Sequence, residues 1–383
     1  MNRLSLYQEY KNLENLYREI ATKSWYDEYE KFVLENIDKL NVKILSGNSN
    51  ITMDFVLAFP KEIQWNPLYL SQNPNITMSD VLAFPQIQWN GNKLSQNPNI
   101  KMSDVLSNPQ IKWDGEYLSE NPNITMADVL ANPQIKWIAW GLSRNPNITM
   151  ADVLAFPKEI PNNGGKPHYL ANPLIQGSEW DVEILSKNPN ITMSDVLANP
   201  QIEWDVFYLS NNPNITIKDV VNNPQFEWDG CSLSKNPNIT MSDVLSNPQI
   251  PGSEWEWDEQ YLSENPNITM SDVLSNPQIE WDDDSLSKNP NITMSDVFAN
   301  PKIQWNPLYL SENPNITFFD VRNNPQIQWD WYELSVNNMS KGKERYIKNK
   351  INELKFINEF KMISQSNKLF VHVIEDIILN YLN

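Results

Sequence analysis

Cysteine is almost missing from this 383-residue chain. Cys231 is the only one, so no intrachain disulfide can form and a cysteine-based zinc site is excluded. Histidine is nearly as scarce: His168 and His372 lie far apart, in different regions. With no HExxH motif and no glycine-rich phosphate loop, hydrolytic metal chemistry and nucleotide binding find no anchor. No apolar run approaches the roughly 20 residues that cross a bilayer. The opening MNRLSLYQEY lacks the apolar core of a secretory signal, so an intracellular, reducing setting is expected. Positive charge is also short. The formal net charge is −19, and residues 48–336 hold 14 Lys+Arg against 35 Asp+Glu. Such a surface repels phosphate backbones and anionic lipid, which disfavours nucleic acid and membranes as partners.

Repetition is abundant. The isoleucine of an NIT tripeptide or its equivalent recurs at 51, 76, 100, 124, 148, 191, 215, 239, 268, 292 and 316. Seven of the ten spacings are 24, and the others are 25, 43 and 29. A tryptophan track from Trp65 to Trp329 and a leucine track from Leu70 to Leu334 keep the same register. The 29 spacing contains the insertion PGSEW at 251–255. The 43 spacing contains a stretch at 159–179 that reads as a degenerate repeat keeping its place in the array and bending it.

Each unit reads as two short helices. In NITMSDVLAFP, Thr77 and Asp80 make a capping box, Met78, Val81 and Leu82 share an apolar face, and Pro85 stops the helix. In WDGEYLSENPN, Asp114 caps a helix carrying Tyr117 and Leu118, closed by Pro122. Helices this short are unstable alone and must stack. The expected fold is all-α: an α-solenoid, a superhelical stack of about eleven 24-residue two-helix repeats drawn out as a curved rod. Residues 48–336 form the solenoid. Residues 1–47, with apolar spacing at Leu13, Leu16, Tyr17 and Ile20, and residues 337–383, with Ile347, Ile351 and Leu354 then Ile374, Ile377 and Ile378, are expected to cap its two ends.

The unit LS-x-NPNIT-xxx-VL-x-NP resembles leucine-rich repeat variant proteins, which stack short helices into a superhelix. It is more closely similar to repeat proteins of mimivirus-like giant DNA viruses, whose units follow NPNIT…NP…W…LS, and the likeness covers roughly 48–336. The resemblance implies the fold and a viral origin, and with it a location in host cytoplasm or virion. It implies no biochemical activity.

The repeated columns read as structural. The aspartates at 80, 104, 128, 152, 195, 219, 243, 272, 296 and 320 cap their own helices, and a layer spacing of roughly 8–10 Å keeps equivalents too far apart to share an ion. Asparagines such as Asn73, Asn97, Asn121 and Asn145 satisfy backbone groups between helices. The in-register tryptophans pack. Paired carboxylates in WDDDS at 281–285 read as solvated surface, and Cys231 as incidental. No enzyme activity, metal or cofactor is expected.

The variable positions between Trp and Leu-Ser remain, reading NPLY, NGNK, DGEY, IAWG, DVFY, DGCS, DDDS and DWYE. A constant frame with a changing face is how solenoids build extended binding surfaces. Tyr69, Tyr117, Trp140, Phe207, Tyr208, Trp255, Tyr261, Tyr309, Trp331 and Tyr332 are the candidate contacts. The expected role is a non-enzymatic protein–protein interaction scaffold with a protein partner. The alternative is a structural component of a virus particle or its assembly, with the rod as a spacer.

Overall fold

The computed structural model describes residues 3–60, 63–155, 180–250 and 256–366. Every regular element among them is a helix, and neighbouring helices pack in sequence order, so the chain is an all-α repeat solenoid. It forms two compact units. The larger holds 39–313 and 326–338; the smaller gathers described residues of 3–38, 314–325 and 339–366.

Local chemistry accounts for the repeat. At Met126–Ala131 the Thr125 hydroxyl accepts from the Asp128 amide at 3.3 Å, and the Asp128 carboxylate accepts from the Thr125 amide at 2.9 Å. Met126 and Val129 are buried, and Asn132 ends the helix by donating to the Asp128 carbonyl. The chain then turns. The Trp137 indole N–H reaches back to the Asn132 carbonyl and locks that turn. Across the 251–255 insertion the same bond persists, from Trp257 to Asn247, so the extra residues leave the frame intact. The capping aspartates therefore act as expected.

Leu82 departs from expectation. Val81 is buried but Leu82 is 54% exposed, as are its equivalents Leu106, Leu245 and Leu274 at 52%, 53% and 59%. Successive helical residues lie about 100° apart, so Val81 faces the neighbouring helix layer while Leu82 sits on the flank. There the leucine lines a gap between units; around Leu106 the gap is closed by Trp113, Ile135 and Lys136 and measures about 350 Å³.

Joints between units are made by asparagine and serine. The Asn121 side-chain amide donates to the Ser95 and Asn97 carbonyls of the preceding unit at 2.8 and 3.0 Å, and its oxygen accepts from its own Asn123 amide. Asn145 repeats this on Ser119 and Asn121, both at 3.0 Å. The Ser95 hydroxyl accepts from the Asp114 amide of the next unit at 3.0 Å. A second asparagine, such as Asn123, donates its side-chain amide to the Pro98 carbonyl of the preceding unit.

The stack closes on itself. The Asn48 amide donates to the Ser335 and Asn337 carbonyls at 3.0 Å each, and the Asn41 amide donates to the Ser335 hydroxyl at 2.9 Å. These are the bonds of an internal joint, made between the first unit and the last. Helix Val42–Leu45 packs on Trp331–Val336, and twelve Leu-Ser helices, each touching the next, form an unbroken cycle within the larger unit. The expected open rod is therefore corrected. A turn of about 30° per unit, with no net rise, brings the twelfth back to the first.

The units that flank the stretch at 159–179 are joined like the others. Asn188 bonds directly to the Ser143 and Asn145 carbonyls at 2.9 and 3.1 Å, and Asp181 bonds to Ser143. The units before and after 159–179 are thus bonded as direct neighbours, and 159–179 itself lies outside the described residues. The Leu-Ser helices approach so closely that a Cβ on Gly141 would lie 2.7 Å from the Ser119 Cβ. The Thr-capped helices make no comparable mutual contacts. In a closed cycle the closer-packed layer is the inner one. Twelve helices spaced about 9 Å apart enclose a space about 20 Å across once their own thickness is removed.

The end segments, expected as helical caps, are helical and pack on each other. Helix Arg3–Glu35 runs against helix Ser340–Ser366 in the smaller unit. Its buried stripe is Tyr17, Ala21, Trp25, Tyr29, Phe32 and Val33, whereas Leu16 and Ile20 are exposed. Trp25 packs on Phe318 and Tyr346, with ring centres 4.8 and 5.4 Å apart. Arg322 bridges Glu28 and Glu35 at 3.0 and 2.9 Å. Ile347, Ile351 and Leu354 are half-buried; Ile374, Ile377 and Ile378 lie outside the described residues.

If the closing joint is equivalent to the rest, Asn48→Ala and Asn121→Ala each lower the unfolding free energy by about 2–4 kcal/mol in urea titrations, because buried carbonyls lose their donors. A neutral Asn48→Ala would mean an open stack. Lys101 replaces the usual threonine and supplies only its backbone amide to Asp104; Lys101→Thr restores the cap and raises stability by about 1 kcal/mol.

Candidate partner-binding surface

All nine described candidates sit on inner helices: Tyr69, Tyr117, Trp140, Phe207, Tyr208, Tyr261, Tyr309, Trp331 and Tyr332. Trp255 lies outside the described residues. The helix is capped by an Asn or Asp whose side chain accepts amides two or three residues on, as Asn66 does from Leu68 and Tyr69. Its Leu and Ser at positions such as 70 and 71 are buried, which turns the second helical residue away from the stack. That residue is the exposed one: Leu68, Trp140, Phe207, Leu308 and Tyr332 stand between 36% and 52% exposed. These second residues therefore share one layer and one face.

The third residue behaves differently. Tyr208, Tyr261 and Tyr309 are half-buried, and Lys187, Lys235 and Lys288 of the preceding units lie over their rings at 5.0, 4.7 and 5.3 Å. Lys43 covers Tyr69, Lys93 covers Tyr117, Lys39 covers Trp331, and Arg144 folds onto Trp140 at 3.9 Å. Seven candidate rings thus already hold a cation of the chain itself. Cation–π contacts contribute about 0.5–1 kcal/mol at exposed sites, so six of these rings stitch neighbouring units together, whereas Arg144 and Trp140 share one helix. Sequence reading missed the lysines, although the signal was present: a Lys after Leu-Ser precedes the next tyrosine by 21 residues at 187 and 288. Phe207 packs edge-on against Tyr208.

Charged groups on this face are also used between units. Asp282 caps its helix, Asp283 accepts from the Gln304 amide at 2.9 Å, and Asp284 accepts from the Asn306 side chain at 2.8 Å. The WDDDS run is thus a joint, not idle surface. Lys288 binds Glu264 at 2.6 Å; burial pulls its ammonium down, but Glu264 outweighs that and holds it up. Burial raises the Glu120 carboxyl above its ordinary value, against the pull of Arg144. It raises Glu312 too, helped by Asp330 and Glu264 and opposed by Lys288. Glu333 is raised by burial, then by Glu312 and Asp330. The Cys231 thiol is pushed up chiefly by burial and donates to Asp258 at 3.5 Å, which leaves it a poor nucleophile.

Among the described residues no cluster of three or more His, Cys, Asp or Glu could hold a metal ion, and no helix is long and apolar enough to cross a membrane. His168 and His372 lie outside them. Compared with protein-family models, curated proteins and solved structures, the chain matches none.

Raised carboxyls give a signed pH dependence. The folded state holds protons on Glu312 and Glu333 to higher pH than the unfolded chain, so stability falls as pH rises from the ordinary carboxyl value of 4.5 through the raised one. Glu312→Gln/Glu333→Gln is therefore more stable than the parent at pH 7 in chemical denaturation, and the advantage fades as pH falls below the ordinary value.

Proposed function

We propose that the protein is a non-enzymatic interaction scaffold that binds a polypeptide partner on the inner helices of its cycle. The resemblance of its units to giant-virus repeat proteins supports a role in the infected host cell. One observation carries the reading. The frame residues (the capping Thr and Asp, the joint Asn and Ser, and buried Ile, Leu and Val) recur from unit to unit, while the exposed second residue of each inner helix changes from Leu68 to Glu116, Trp140, Phe207, Asp284 and Tyr332. Neither capping nor core burial demands that change, since none of these residues is an N-cap or buried, although Asp284 also bonds to Asn306 of the next unit. The alternative is a structural component of a virus particle or its assembly; the closing bonds at Asn48 make its spacer a ring-shaped one and not a drawn-out rod.

Affinity capture from infected cells tests the proposal, using the parent and two variants. A polypeptide retained by the parent is expected to be lost from Trp140→Ser/Phe207→Ser/Tyr332→Ser and kept by Leu106→Ser/Leu245→Ser on the outer layer. Retention that is indifferent to all the inner substitutions would refute the proposal.

A further inference from the structure

One helix of the smaller unit keeps an apolar flank in water. Helix Arg3–Glu35 buries Tyr17, Ala21 and Trp25, yet Leu13, Leu16 and Ile20 stand 36%, 48% and 41% exposed. Successive helical residues lie about 100° apart, so these three share one face. It adjoins the face that meets helix Ser340–Ser366, which Glu14 marks by its 3.0 Å bond to Lys355. Tyr17 sits on the border between the two, and its buried hydroxyl has no hydrogen-bond partner among the described residues. We infer that this flank is a docking site for the residues that follow Ser366 in the same chain, taking the apolar stripe of 369–382 along Leu13 and Leu16.

The topology of the unit brings the two together. The helices run antiparallel, since Lys343 bonds to the Tyr26 hydroxyl, Tyr346 to the Ser24 hydroxyl and Lys355 to Glu14. Counting back from Glu14 as the other helix runs on from Lys355, Ser366 comes level with Arg3. A chain that reverses there returns beside Leu13 and Leu16, about 15 and 20 Å along the helix from Arg3. Residues 369–382 span about 21 Å if helical, which reaches both and stops short of Ile20. Residues 367–383 lie outside the described residues, but their sequence fits the flank. Phe370, Val373, Ile374, Ile377 and Tyr381 recur at helical spacing, with His372, Glu375 and Asp376 on the opposite side. Apolar area removed from water on both partners drives the contact, and the Tyr17 hydroxyl gains polar atoms within reach. Tethering selects this occupant over a second copy. Three side chains fall far short of the roughly 800 Å² per partner that a stable intermolecular interface buries, whereas a segment joined by a few residues is held at high local concentration.

The experiment uses the full-length protein with Cys231→Ser, which leaves no native cysteine. Leu13→Cys/Ile377→Cys, treated with a short bismaleimide, is expected to cross-link within one chain. Lys31→Cys/Ile377→Cys, whose first site lies about 27 Å further along the helix, is expected to do so at least about tenfold less. Independently, amide hydrogen exchange over 370–381 is expected to quicken by about tenfold or more in Leu13→Asp/Leu16→Asp. Both positions are exposed, so that variant is expected to fold, and it keeps the test decisive if the cysteine pairs disturb the contact. Cross-links formed only between chains would assign the flank to a second copy and overturn the inference. Equal yield from both cysteine pairs, or exchange that is unchanged in the Asp variant, would overturn it too. None of these outcomes bears on the inner face of the cycle.

Discussion

A single buried side-chain amide does most of the organising. At each joint an asparagine points its N–H groups at carbonyls of the unit before and its oxygen at its own backbone, as Asn121 does on Ser95, Asn97 and Asn123. Buried carbonyls left without donors are expensive, so the residue can neither be shortened to alanine nor exchanged for aspartate without loss. Because it fixes both the distance and the direction of the next unit, the curvature of the whole array is written into one repeated contact. The serine bond, the tryptophan lock and the buried isoleucines build on the spacing it sets.

Much of this was legible in the letters. Three tracks in register gave the period, Thr and Asp gave the caps, and proline gave the stops, because those are local rules that need only a few neighbouring residues. What could not be read depends on angles between units. Closure is such a case: nothing in Leu45-Ser46 or Asn337-Asn338 says that the first and last units are partners, since a few degrees more or less per unit would leave a helix instead of a ring. Leu82 is another. Periodicity placed it on the apolar face, but a six-residue helix has too little surface to bury Met78, Val81 and Leu82 together, and the flank lost.

The candidate surface was legible in outline only. Reading variable positions against a constant frame picked out the Leu-Ser helices, on which the nine described candidates lie. It could not divide rings that stitch the array from rings left for a partner, because that distinction lies in where lysines from the preceding unit come to rest. Tyr309 and Tyr332 look alike in sequence. Lys288 lies over the first, while the second stands open beside two carboxylates.

The bonds from Asn48 to Ser335 and Asn337 have a thermodynamic meaning beyond shape. An ordinary repeat array has end units with one neighbour each, and these fray first because a terminal unit gives up a single interface when it melts. A cycle has no such unit. Wherever melting begins, two interfaces must open at once, so the nearest-neighbour chain acquires a periodic boundary and the easy route from the ends is removed. The twelve weak modules are thereby made to behave as one cooperative body, although each touches only the units on either side.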